Sequence, residues 1–197
     1  MILFALLASI SISYPLKLKQ TQLQPWLQLT RPHNIPASMI FPIAGALSDN
    51  TNHFNPSSAL ETASIVATVT TASVVINSYH DAQLDNDDPK NNPIASGAIS
   101  SNHAKTLFSS LYLAALVPTF IVVENTTARL VILFSMATTY FYTEHLKPHV
   151  FIKNTAVASV TALAPYLGFI TSLEQPPPFT TESTVFGLCL ATFFGIF

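Results

Sequence analysis

Residues 64–76, SIVATVTTASVVI, carry no charge and run directly into residues 77–97, NSYHDAQLDNDDPKNNPIASG. Asp81, Asp85, Asp87 and Asp88 lie in the second stretch, four of the chain's 10 acidic residues. On soluble propensities the β-branched run favours a strand. In lipid every backbone group must bond within the protein, so only a helix or a closed barrel can span. The run shows little of the apolar/polar alternation of a barrel strand. What remains is a transmembrane helix that ends in carboxylates.

Composition points the same way. Only 9% of the 197 residues are charged, against about 25% in soluble domains, and mean hydropathy is +0.42. Such a chain lacks the polar surface to stay in water, so an all-α, polytopic transmembrane bundle is expected. The net charge of -2 argues against a nucleic-acid partner. Cys189 is the sole cysteine, which excludes a disulfide framework or a cysteine zinc site. Residues 1–25 open with MILFALLASISIS and are read as a leader or interfacial segment. SISYP (11–15) loosely resembles the cleavage region of algal plastid targeting sequences, so a plastid or other organelle membrane is one expected location. Residues 26–197 then form the transmembrane domain.

Segments 62–80, 106–123 and 154–173 contain no Asp, Glu, Lys or Arg and approach the roughly 20 residues a span requires. Three shorter runs complete six expected helices, at 33–48, 62–84, 104–123, 127–146, 151–172 and 182–197. Pro118 and Pro165 are expected to kink theirs. Six spans put Lys17, Lys19, Arg31, Lys90, Lys105, Lys147 and Lys153 on one side, with only Arg129 on the other. That asymmetry follows the positive-inside rule. Asn125-Thr126-Thr127 is a weak glycosylation sequon on the far side. Pro176-Pro177-Pro178 reads as a stiff connector.

Asn77, Asp81 and Asp85 are spaced i, i+4, i+8 and share one stripe of the second helix. A carboxylate at membrane depth costs about 2.5–3.5 kcal/mol, and two on one stripe repel. A divalent cation would offset that cost. Carboxylate and amide oxygens are hard ligands that suit Mg2+ together with phosphate oxygens. Nearby Lys and Arg residues could neutralise the phosphates. The expected ligand is a diphosphate ester with a long apolar tail. The bland alternative is that the aspartates merely end a helix in water, which is the reading for Asp87 and Asp88. His33, His80, His103, His145 and His149 gather at the same interface and are read as interfacial polar residues.

Asn77-x-x-x-Asp81-x-x-x-Asp85, followed by Pro93-Ile94-Ala95-Ser96-Gly97, resembles the first aspartate motif of the UbiA-type intramembrane prenyltransferases. TRPHNIPASMIFPIAGAL (30–47), YTEHLK (142–147) and KNTAVASVTALAPYLG (153–168) are similar to that family's first helix, fourth-helix end and fifth helix. The resemblance implies about nine helices in a full-length member. It implies Mg2+-dependent transfer of a prenyl group from a prenyl diphosphate to an aromatic or lipid acceptor within the membrane. It implies that Asn77, Asp81 and Asp85 hold the metal. Arg31, Lys147 and Asn154 would contact the substrate, with Tyr142 and Lys147 at the reacting end. The family's second aspartate motif follows its sixth helix, beyond Phe197, so this chain is expected to be an N-terminal two-thirds. Ser78, Asn91 and Asn92 depart from the family's usual residues. A non-catalytic prenyl-diphosphate binder and a cation transporter are the alternatives.

Overall fold

A computed structural model describes residues 20–48, 55–84, 92–143 and 150–172. They form helices α1 (Gln20–Thr30), α2 (Asn34–Leu47), α3 (Pro56–Leu84), α4 (Ser101–Ile121), α5 (Thr126–Phe141) and α6 (Val150–Ser172). No strand occurs among the described residues. The five helices expected between 33 and 172 are present, with α3 beginning six residues early. The expected helix at 182–197 lies outside the described residues. Helix α1 straddles the boundary drawn at residue 25/26. α4 and α6 stay continuous through Pro118 and Pro165.

The β-branched run is helical because its hydroxyls bond to their own helix. Ser64, Thr68, Thr70 and Thr71 donate to the carbonyls four residues back, at 2.7–2.9 Å. The hydrogens of these four hydroxyls are then not left facing lipid. Caps fix the ends: Asn55 Oδ1 accepts from Ser57 and Ser58 N–H before α3, Ser100 Oγ from His103 N–H at α4, and Asn125 Oδ1 from Ala128 N–H at α5. Asn125 Nδ2 also donates to the Ile170 carbonyl at 3.2 Å. The sequon asparagine therefore has a structural job in the α5–α6 contact.

The direction of each helix follows from side-chain pairs. Thr62 near the start of α3 donates to Thr171 near the end of α6 at 2.9 Å, so these helices are antiparallel. The Asn125–Ile170 bond sets α5 antiparallel to α6. Tyr79 packs on Phe108 with ring centroids 5.9 Å apart, which joins the end of α3 to the start of α4. The ends of α3 and α5 and the start of α6 therefore share one face of the bundle. Arg129, whose Nε donates to the Val123 carbonyl, lies at the opposite face. Lys105 lies with the α3 end, 5.3 Å over the Tyr79 ring. The separation of Lys105 from Arg129 agrees with the charge asymmetry of the sequence.

Pro56–Gln83, Ser101–Ile121 and Thr155–Ser172 are long and apolar enough to cross a membrane, and the protein is an integral membrane protein. Only 17% of the α4 window is buried, with Leu113, Val117, Phe120 and Ile121 exposed. A soluble chain does not leave such a face in water. Helices α2 and α5, with 14 and 16 residues, extend only about 21–24 Å.

Two clusters hold the bundle. One gathers Ile65, Val69, Ala115, Ala128, Val131, Ile132, Leu167 and Ile170 toward the Arg129 end. The other, at the acidic end of α3, gathers Leu29, Val75, Tyr79, Ile94, Ile99 and Ala104. Helices α2 and α6 meet through matching Pro-x-x-Gly segments, Pro42–Gly45 and Pro165–Gly168. A Cβ on Gly45 would collide with the Pro165 carbonyl, and one on Gly168 with that of Pro42. Backbone contact of this closeness is how helices associate where no hydrophobic force drives them. Gly45→Ala and Gly168→Ala are each expected to cost about 1–3 kcal/mol by overpacking, seen as a lowered thermal midpoint in detergent. An unchanged midpoint would show that α2 and α6 pack elsewhere.

Candidate functional site

Helix α3 carries both halves of the site on one side. Val66, Thr70, Ser73 and Val74 line a cavity of about 270 Å³ between α3, α5 and α6. Asn77 and Asp81 continue the same stripe toward the helix end, one and two turns beyond Ser73. Asn77 Nδ2 donates to Asp81 Oδ2 at 3.1 Å, and both residues are half-buried. The amide donor thereby orients the carboxylate and leaves Asn77 Oδ1 as a further hard oxygen beside it. That donor set fits Mg2+, which takes one or two carboxylates and fills the rest from water and phosphate. Among the described residues no three His, Cys, Asp or Glu side chains cluster for a metal. Asp85 lies outside the described residues.

The remaining predicted residues divide by placement. Tyr142 lines the cavity, in a widened π-type turn that closes α5 at Tyr142–Thr143. Such turns recur at functional sites. Arg31 is exposed at the break between α1 and α2, with φ +45°, a conformation costly for a residue bearing a Cβ. Leu29, two residues earlier, is fully buried against Val75 and Tyr79, so Arg31 sits at the acidic face of the bundle. Lys147 lies outside the described residues, and Asn154 is described only as part of the α6 backbone. His103 Nδ1 and Ser100 Oγ are 2.9 Å apart, an N-terminal helix contact and not a ligand set.

Away from that end the cavity becomes apolar. Ile65, Ile132 and Leu167, each 3% exposed or less and all members of the first cluster, close it. From Asn77 to Ile65 the helix rises about 18 Å. The site is thus a polar mouth over a long greasy pocket.

Sequence reasoning overlooked two features. Asn92 had stood out only as a departure from a family pattern. Its Nδ2 donates to the carbonyl of Ser78 at 2.7 Å, and its Oδ1 accepts from Ile94 N–H at 3.0 Å. It ties the 93–97 turn to the α3 turn that holds Asn77 and Asp81. Its place just before Pro93 was a visible signal, but its partner across 14 residues was not. The second is the set of cavity hydroxyls on α3 and α5. Ser73 is four residues before Asn77, so its stripe was legible; the facing residues of α5 were not.

The chain has counterparts among known proteins. The UbiA prenyltransferase family profile matches residues 38–197. The chain belongs to the UbiA prenyltransferase family. It is 29% identical over 146 residues to the digeranylgeranylglyceryl phosphate synthase of Saccharolobus solfataricus, a match covering 74% of this chain and 51% of that protein. It is 31% identical over 152 residues to the protein of the same name from Pyrococcus abyssi, covering 75% and 52%. A solved structure reported for digeranylgeranylglyceryl phosphate synthase in membranes superposes with a TM-score of 0.77 at 22% identity. That match covers 89% of this chain and 61% of the other, and it shows that the fold is shared. The chain spans about half the length of the curated relatives it matches.

Asn92→Ala removes both of its bonds and is expected to lower stability by about 1 kcal/mol per bond lost. Amide hydrogen exchange should quicken through residues 78–84 and 93–99 while the Arg129 end keeps its protection. Uniform protection across the variant would show that the tie does not hold the α3 end.

Proposed function

We propose that this UbiA-family chain binds a prenyl diphosphate, with the diphosphate at Asn77 and Asp81 and the tail in the cavity, and transfers the prenyl group to a lipid acceptor. The observation that carries this reading is the shared α3 stripe: the residues that suit a metal diphosphate continue directly into the wall of an apolar pocket. The relatives' shared name favours a glyceryl-lipid acceptor over an aromatic one. Residues 26–197 would form the N-terminal part of the prenyltransferase domain, with residues 1–25 as a leader or interfacial segment.

Asn77, Asp81 and Asp85 would hold Mg2+. Bound Mg2+ would stabilise the charge on the departing diphosphate as a Lewis acid. Arg31, Lys147 and Asn154 would bind the diphosphate, the two cations by charge-assisted contacts. Tyr142 would stand at the reacting end, beside the first carbon of the tail. The apolar lining from Val74 to Ile65 would exclude water from the allylic cation that forms as the carbon–oxygen bond breaks. A cation-transport reading has less support, because among the described residues no charged side chain lines the cavity, where a conducting path is lined by ionisable groups.

Asp81→Asn keeps the shape of the side chain and removes its charge. It is expected to weaken Mg2+-dependent binding of geranylgeranyl diphosphate by at least about tenfold, with no change in Mg2+-free binding. Titration of the purified protein in detergent or nanodiscs, with and without EDTA, checks this. Equal Mg2+-dependent affinity in the variant would remove Asp81 from the site. Binding without turnover in the wild type would point to a non-catalytic binder.

A further inference from the structure

Helix α1 keeps three kinds of side chain in separate sectors. At about 100° per residue, the order around its axis is Leu29, Trp26, Leu23, Leu27, Gln24, Gln28. Leu29 is fully buried and packs with Val75 and Tyr79. Trp26 is half-buried and packs against the same cluster. Leu23 and Leu27 are 44% and 47% exposed, and Gln24 and Gln28 beyond them are exposed as well. No charged residue interrupts the helix. One face therefore rests on the bundle, an exposed apolar flank adjoins it, and a polar flank follows.

The level of α1 in the bundle follows from its neighbours. The Trp26 ring lies 6.5 Å from that of His103, in the first turn of α4. Leu29 meets Tyr79, two residues before Asp81 and near the end of the spanning segment Pro56–Gln83. Lys105, exposed on α4, stands 5.3 Å over the same Tyr79 ring. These are the places where the spanning helices end, so α1 sits at the level of the lipid headgroups. It is not an extension of α2. Arg31 N–H donates to the Leu27 carbonyl at 3.0 Å, and Arg31 turns to φ +45°, which closes α1 with a left-handed cap.

A leucine flank beside a glutamine flank, with tryptophan at the seam, suits a helix at a membrane surface. The exposed apolar side of α4 already marks the lipid-facing surface of the bundle, and α1 borders that helix at His103. We propose that α1 docks on the lipid bilayer through Leu23 and Leu27, at the boundary between headgroups and acyl chains, with Gln24 and Gln28 in water. Burial of the two leucines removes apolar surface from water, and Trp26 beside them takes the interfacial place that suits its amphipathic ring. Leu29 couples α1 to the α3 turn that holds Asn77 and Asp81. The docked helix thereby sets the depth of the cavity mouth in the membrane. This surface is independent of the reaction that the protein performs.

Trp26 is the chain's sole tryptophan, so its fluorescence reports the level of α1 without a label. The full chain is reconstituted in phosphatidylcholine vesicles in which part of the lipid carries bromine, either near the headgroup or near the chain ends. Iodide is the aqueous quencher. The wild type is expected to be quenched strongly by the shallow bromolipid and weakly by both the deep one and iodide. In Leu23→Gln/Leu27→Gln the shallow quenching should be lost, the emission should move to longer wavelength and iodide quenching should rise. Gln24→Ser, on the polar flank, should leave all three at wild-type values. Circular dichroism at the wild-type level shows that the double variant is folded; if it unfolds, Leu27→Ala replaces it, with smaller changes of the same sign expected. Strong iodide quenching of the wild type would place the flank in water and overturn the proposal. So would a Trp26 that neither bromolipid nor iodide reaches, because protein would then cover the flank. Shallow quenching that survives the leucine substitutions unchanged would also overturn it, since the bundle alone would hold α1 at its level.

Discussion

Everything in this bundle depends on α3 remaining helical through all 29 of its residues. In lipid the alternative to an internal backbone bond is an unsatisfied polar group costing several kcal/mol, and that constraint outweighs the modest strand preference of its Val, Ile and Thr residues. The hydroxyls of Ser64, Thr68, Thr70 and Thr71 fold back on the same helix, so a run rich in polar side chains stays compatible with an apolar setting. The result is a continuous support with two chemistries on one stripe. Its middle lines a greasy cavity and its end presents an amide and a carboxylate. No loop intervenes between them, so their separation is fixed by helical rise alone.

The surrounding elements act on that support from two directions. Toward the Arg129 end, α2 and α6 come into backbone contact through Pro42–Gly45 and Pro165–Gly168, and α6 presents Leu167 to the cavity floor from the same segment. At the acidic end, Asn92 fastens the 93–97 turn to Ser78, and Leu29, Ile94 and Ile99 pack beneath Tyr79. The close contact is a matter of van der Waals fit and the second of hydrogen bonds near the water interface. Each is the interaction that its own depth favours.

How much of this was legible in the sequence follows from which residues lie on one element. The helices, their order and the pairing of Asn77 with Asp81 were readable because helical periodicity places side chains on a stripe without knowledge of any partner. Helix α1 was not, because its sequence is polar at its start and it is held by contacts of Trp26 and Leu29 with helices distant in sequence. The Asn92–Ser78 bond and the opposition of Ser73 to Ser135 and Thr138 were hidden for the same reason: each depends on how two elements meet. The placement of Lys105 and Arg129 at opposite faces was legible, since they bracket α4 and the start of α5.

The central claim is that one continuous site runs from the Asn77–Asp81 mouth to the Ile65–Ile132–Leu167 floor and holds a prenyl tail. Photo-crosslinking with a prenyl diphosphate that carries a diazirine at the far end of its tail tests this directly. With Mg2+ present, labelled peptides should map to the cavity linings of α3, α5 and α6 around Ile65, Ile132 and Leu167, and excess unlabelled diphosphate should abolish the signal. Labelling spread instead over the lipid-facing residues Leu113, Phe120 and Phe134, with no effect of Mg2+ or competitor, would contradict it.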